Sequence, residues 1–317
     1  MRVLRIVARG VFVLSVFIST HAQGTNTVLG QWDFNTNNLS LATAGAPLQF
    51  TGDLQVTFVT NQINGLDAGV MRFPAATPQQ SILATFNSIA NGGGTNLNQY
   101  TVLMDIMWPS ESEGLFRSLL NASTNNADDG AMFVNPDNQL GIFNDYAYNL
   151  APNEWHRVVL VYDLLTPTNS TVTRYVDGDT NAAPVLLAEA GVDSRFSLNG
   201  GVLFFSDNDG ETAPGFVNSI QLRAGLMPET EIAALGGPSS GGLGAPADPK
   251  PVGDVMLTIE RSSNNTMIIR LNPARNAQLQ RKVSLNDPQW QPGDTSSSGT
   301  FTVPIAEPTG FFRVEIK

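Results

Sequence analysis

The chain has 317 residues, 42% hydrophobic and 14% charged, with 29 Gly, 19 Pro and no Cys; this supports one large and one small domain and excludes a long coiled coil, a disordered tail or a disulfide-stapled fold. Acidic residues number 28 against 17 basic, a net charge of −11, so there is no basic footprint for a nucleic-acid backbone. With two His and no Cys, multi-histidine zinc sites and thiol nucleophiles are excluded as well.

Residues 1–22 place Arg2, Arg5 and Arg9 ahead of the apolar stretch Val11-Phe12-Val13-Leu14-Ser15-Val16-Phe17-Ile18, followed by Thr20-His21-Ala22. This is the layout of a secretory signal peptide. The apolar run is shorter than the ~20 residues that a membrane helix needs. The expectation is a protein that is secreted or held in the periplasm or cell envelope, with no membrane span. Loss of three Arg makes the mature chain more acidic still and leaves His156 as its one imidazole.

From Gln31 to Leu222 short apolar runs of period two alternate with clusters of Asn, Asp, Gly and Pro. Strands are predicted at 100–108, 155–163, 171–176 and 202–205 and loops at 121–130, 135–138 and 177–179, the pattern of an all-β antiparallel sandwich or jelly roll. Within 227–236, Pro228 precedes Glu229 and Glu231 and Gly236 follows Leu235, which predicts a short helix closing the domain. Residues 237–252 carry almost no large apolar side chain and are expected to form a linker. Further strands are predicted at 255–259, 267–271, 277–282, 300–303 and 311–316. The organisation expected is a signal peptide over 1–22, a jelly roll over 23–236, a Gly/Pro/Ser linker over 237–252 and a small β module over 253–317.

The run Asn153-Glu154-Trp155-His156-Arg157-Val158-Val159-Leu160-Val161-Tyr162-Asp163, followed by Arg174-Tyr175-Val176-Asp177-Gly178, resembles paired strands of the laminin-G-like, or concanavalin-A-like, jelly roll. Gly215-Phe216-Val217-Asn218-Ser219-Ile220-Gln221-Leu222, leading into Glu231-Ile232, is similar to that family's closing strand and helix. The likeness covers residues 28–236. The family often has Asp where this chain has Asn218, a position that supplies a ligand in members that bind calcium. The tail, through Leu279-Gln280-Arg281, Leu285-Asn286-Asp287-Pro288-Gln289-Trp290 and Gly310-Phe311-Phe312-Arg313-Val314, resembles a short β module at the C-termini of many secreted proteins of Planctomycetes and Verrucomicrobia.

The glucanases of this jelly roll imply a strand with acids at alternate positions, Glu-x-Asp-x-x-Glu. No such run is present; Glu111-Ser112-Glu113 is too short and follows Trp108-Pro109. A carboxylate pair from separate strands, such as Asp105 with Glu154, is selected by nothing in the sequence. His156 lies in an alternating strand with no Gly-x-Ser-x-Gly elbow elsewhere, so a structural imidazole is expected.

Hard oxygen ligands for calcium are concentrated in Ser206-Asp207-Asn208-Asp209-Gly210-Glu211, with Asp207, Asn208, Asp209 and Glu211 as the candidate set. The same Asp-Asn-Asp-Gly also suits a hairpin turn. Asp128-Asp129-Gly130 is a weaker candidate. Asn144-Asp145-Tyr146-Ala147-Tyr148-Asn149 puts two aromatic rings among amides and a carboxylate on an expected loop, a combination that stacks on sugar C–H faces and bonds hydroxyls. If extended, both rings face one side; alternatively the two Tyr anchor the loop to the core. Asn144, Asp145, Tyr146 and Tyr148 are the candidate ligand-binding residues. The function expected is an exported, non-catalytic binding protein for a polysaccharide or a surface protein, assisted by calcium. Its alternatives are a glycoside hydrolase or polysaccharide lyase with an unrecognised site, and a structural envelope component.

Overall fold

The alternation of apolar residues becomes strands in both parts of the chain. The computed structural model describes residues 27–316 apart from 40, 88, 166–168, 182–183, 189, 245–255, 263–265, 273–276, 283–288 and 305–310. The predicted signal peptide, the 245–252 half of the predicted linker and the tail positions 285–288 and 310 lie outside the described residues. The chain divides into two compact units, Met1–Pro249 and Lys250–Lys317.

The first unit begins with β1 (Thr27–Asp33), β2 (Gln49–Thr51), β3 (Thr57–Ile63), β4 (Leu66–Phe73) and β5 (Ser81–Thr85). It continues with β6 (Gln99–Met107), β7 (Arg117–Asn121), β8 (Met132–Val134), β9 (Gln139–Ile142) and β10 (Asp145–Asn149). It closes with β11 (Trp155–Asp163), β12 (Thr171–Val176), β13 (Pro184–Leu186), β14 (Gly201–Phe204), β15 (Gly215–Ala224) and the helix α1 (Glu229–Leu235). One sheet runs β13-β12-β11-β6-β15-β4-β3, with β1 beside β15; the other runs β10-β9-β8-β7-β14-β5-β2. Their pairings are antiparallel. A single core draws Val102, Met104, Ile106, Val158 and Leu160 from the first sheet and Leu120, Met132, Val134, Leu140 and Phe204 from the second. This is the antiparallel jelly-roll sandwich that the sequence pattern requires.

β6 and β11 pair without a break from Gln99–Asp163 to Met107–Trp155. Period two therefore sends Tyr100, Val102, Met104 and Ile106 into the core and Thr101, Leu103, Asp105 and Met107 to the outer face. Tyr100 and Tyr162, opposite each other, stack with ring centroids 4.6 Å apart. The outer face is covered: Leu103, Val159, Val161 and Tyr175 pack with Met227, Ile232 and Leu243. Helix α1 starts after Pro228, carries Glu229 and Glu231 in its first turn and ends at Gly236 with φ +59°, as the predicted helix does.

The start of the predicted linker is corrected by the structure. Residues 237–244 belong to the first unit and are held by polar groups. Ser239 N–H donates to Asp105 Oδ2 at 3.1 Å, Asn64 Nδ2 to Pro238 O at 3.2 Å, Gln31 Nε2 to Leu243 O at 3.0 Å, and Leu243 N–H to Ser219 Oγ at 3.0 Å. Beneath this strap Arg157 donates to both oxygens of Asp105 at 2.7 Å and to Leu235 O at 2.8 Å. Apart from Leu243 the segment has no large apolar side chain, and it docks through its backbone.

In the second unit β16 (Met256–Ser262), β17 (Thr266–Asn272) and β20 (Thr300–Pro304) form one antiparallel sheet, and β18 (Ala277–Lys282), flanked by β19 (Gln291–Ser296) and β21 (Phe311–Ile316), forms another. Ile269, Leu271, Ala277, Leu279 and Phe301 make its core. Among the described residues no helix is long and apolar enough to cross a membrane.

Candidate metal and ligand site

The loop 205–214 leaves β14 in one sheet and enters β15 in the other. Asp207 and its neighbours therefore lie in a crossing between sheets, not in a hairpin turn. Asp207 is fully buried. Its Oδ1 accepts from Gly130 N–H at 2.9 Å, and its Oδ2 from the N–H groups of Asp209 at 3.1 Å and Glu211 at 3.2 Å. The loop is fastened along β7, where Ser118 N–H donates to Glu211 O at 2.9 Å and Ser118 Oγ to Ser206 O at 2.7 Å. Asn126, with φ +52°, donates to Pro78 O and Asp207 O and so packs the 121–130 loop against it.

This packing brings the weaker candidate to the stronger one. Carboxylate oxygens of Asp129, Asp207 and Glu211 all lie within 4.8 Å of one another. Of the sequence-predicted set, Asp207 and Glu211 stand in this group with Asp129, while Asn208 and Asp209 are exposed on the loop and Asp209 is a neighbour of Asp207. Burial raises Asp207, but hydrogen bonds from the Asp209 carboxyl and the backbone N–H groups of Gly130, Asp209 and Glu211 outweigh it and leave this carboxylate lowered. Asp209 is pushed up to about 6, first by its hydrogen bond with Asp207 and then by burial and the charges of Asp207 and Asp129. Glu211 is raised to about 6 by burial and by the charges of Asp209, Asp207 and Asp129. Burial, a hydrogen bond with Asp207 and its charge also raise Asp129. Like charges this close cannot all ionise freely, and a proton or a cation relieves them. The donors are all hard oxygens, which fit calcium rather than a soft metal, and three carboxylates leave coordination positions for water or hydroxyls.

Register places Tyr146 beside this cluster. Ser118, Phe133, Gly141 and Tyr146 lie opposite one another across β7, β8, β9 and β10 and therefore share the outer face of the second sheet, while Val134 and Leu140 face the core. Gly141 permits this arrangement, because a Cβ there would stand 2.6 Å from Tyr146 Cδ1. Phe116 lies with its ring centroid 6.3 Å from Phe133 and 6.4 Å from Tyr146. The phenol of Tyr146 is raised by burial and by the charges of Glu211 and Asp129, so ring and carboxylates are electrostatic neighbours. Arg195 lies 3.6 Å from Asp129.

The other ligand-binding candidates differ. Residues 145–149 form an edge strand, not a loop. Tyr148, at φ +58°, sits in a bulge between Ala147 and Asn149 and packs against the core, so the two rings do not share a side. The Asp145 carboxylate is taken by Arg174 at 2.7 Å, which also donates to Leu140 O and Asp145 O. Asn144 is exposed in the β9–β10 turn. The sequence reading missed Phe116, and also Phe143, which sits in that turn at φ +56° and 45% exposed; a Phe preceding Asn-Asp in a two-residue turn was its signal.

The remaining candidates make contacts within the sandwich. Asp105 is locked to Arg157 with both side chains buried, and Glu154 is exposed, so the two form no catalytic pair. His156 Nδ1 lies 2.9 Å from Asp177 Oδ2, and Asp177 Oδ1 accepts Arg157 N–H at 2.8 Å, which ties β11 to the turn after β12. Asn218 donates to Gly69 O at 2.8 Å, and its buried Oδ1 has no partner among the described residues.

No protein-family model and no curated protein matches the chain. Among solved structures it is similar to domain 4 of an extracellular arabinanase from Geobacillus stearothermophilus, solved in complex with arabinotriose, at 12% identity and a TM-score of 0.44 over 66% of this chain and 97% of that one. The binding domain of botulinum neurotoxin serotype D gives 12% identity and a TM-score of 0.43 over 88% of this chain and 81% of that one. Trypanosoma rangeli sialidase gives 12% and 0.43 over 66% of this chain and 32% of that one. None of the three reaches a TM-score of 0.5, and the fold rests on the strand order described above.

Proposed function

We propose that this chain is an exported, non-catalytic binding protein of laminin-G-like type, whose jelly roll holds calcium at Asp129, Asp207 and Glu211 and takes a neutral polysaccharide against Tyr146. The observation that carries this reading is the meeting of two chemistries on one sheet face. The carboxylate oxygens of the cluster lie within 4.8 Å of one another, and the ring of Tyr146 feels Glu211 and Asp129 while resting near Phe116. A sugar offers a C–H face to the ring and hydroxyls to the cation and carboxylates. The chain's net charge of −11 disfavours anionic glycans, so neutral ones are preferred at low salt.

The test is a glycan array probed with wild type and Tyr146→Ala, each with calcium and with EDTA. Wild type is expected to retain a neutral glycan in calcium. Tyr146→Ala should weaken binding by roughly 1 to 2 kcal/mol, as for loss of one stacking ring. Retention that is unchanged in both EDTA and the variant overturns the site; no retained glycan transfers the reading to a surface-protein partner; release of reducing ends from a retained glycan makes the protein a glycoside hydrolase.

A further inference from the structure

Arg117 is fully buried. It lies on the inner side of β7, opposite Val134, and its guanidinium carbon stands 5.7 Å from the ring centroid of Trp108, itself buried in the core. Its Nε donates to Leu115 O at 3.2 Å, and its Nη2 to Asn135 O at 2.6 Å and Asn138 Oδ1 at 2.8 Å. All three acceptors are neutral. Among the described residues Nη1 has no partner, and neither has Nε1 of Trp108. Both Nη1 protons and the indole proton are therefore unmet among the described residues, on two side chains that touch through the guanidinium lying over the indole ring.

The charge is as exposed to cost as the donors. No carboxylate is paired with Arg117 among the described residues; Glu113, whose charge acts on it through space, is exposed on the turn before β7. The other two buried cations among the described residues of the sandwich, Arg157 and Arg174, each have a carboxylate at 2.7 Å. A buried cation without a counter-charge costs several kcal/mol, and burial lowers Arg117 to about 10.

We infer that the corner between Arg117 and Trp108 is a binding site for a small monovalent anion of halide size. A halide accepts from several donors at once and has nothing to donate, which matches a corner with three unmet protons and a positive charge. It also supplies the counter-ion that Arg157 and Arg174 obtain from Asp105 and Asp145. The site lies on the inner face of the second sheet and is independent of the carboxylate cluster on the outer face.

The test is the melting temperature of the full chain in EDTA as sodium bromide replaces sodium gluconate, from about 1 to about 100 mM at constant ionic strength. Gluconate has the same charge and is too large for a buried corner. Binding to the folded state alone should raise the midpoint with the logarithm of bromide concentration, by roughly 5 °C over that range. The rise should vanish in Arg117→Met and shrink in Trp108→Phe, which keeps the packing and removes one donor; if Arg117→Met does not fold, Trp108→Phe decides. A flat wild-type response, or a rise of full size in Trp108→Phe, overturns the inference.

Discussion

Tyr146 and Tyr148 are two residues apart and do different work. Strict alternation would put both rings outside, but the extra residue at the bulge turns Tyr148 inward, where it packs on the core, and leaves Tyr146 on the outer face near Phe116. Their substitutions should therefore separate. Tyr148→Ala removes a partly buried ring and should lower stability by about 1–2 kcal/mol with little change in the affinity of the folded protein. Tyr146→Ala should spare the melting temperature and weaken the retained glycan. Denaturant melts alongside binding isotherms check this, and equal losses of affinity in both variants would put both rings back on one site.

At the scale of elements, the strap 237–244 is the part whose role was hardest to see in the sequence. Leu243 is its one large apolar anchor, 4% exposed and packed with Leu103, Val159 and Ile232. Leu243→Ala should cost about 2–4 kcal/mol, as for other buried Leu; a free linker would show no change in a denaturant melt. The strands and the closing helix were legible because each side chain of β6, β11 or α1 reports its own burial through period. The strap was not, because its contacts run from its backbone to Asn64, Asp105 and Ser219, residues remote in sequence. The same limit applies to the site. The Asp207 loop and Tyr146 could be chosen by composition, but Asp129 is brought to Asp207 by the Gly130 N–H and the Asn126 side chain, and no local pattern records that meeting. Nor does alternation foresee a bulge at Tyr148.

For the molecule as a whole, the carboxylates pull stability in opposite directions with pH. Asp209 and Glu211 stand at about 6 in the folded state, above the unfolded range near 4. Between those values the folded chain binds more protons than the unfolded one, so without a cation stability rises as pH falls through that window. Asp193 has the opposite sign. Hydrogen bonds from Thr95, Asn98 and Asn96 hold its carboxyl well below the ordinary carboxylate range, and its contribution, present above about pH 4, is lost as the medium becomes more acid. In EDTA the melting temperature should therefore climb as pH falls from about 7 through about 6 towards about 4.5, and fall below about pH 4. Calcium at pH 7.5 should raise it by occupying the cluster, and that increment should shrink towards pH 5 as protons compete for the same oxygens. With a net charge of −11, acidification also relieves repulsion across the whole surface; Asp209→Asn separates the two effects. It removes one charge from the cluster and should raise the pH 7.5 melting temperature in EDTA while flattening the climb towards about pH 4.5. A climb of unchanged slope in that variant would assign the pH dependence to the surface at large and remove the cluster from it.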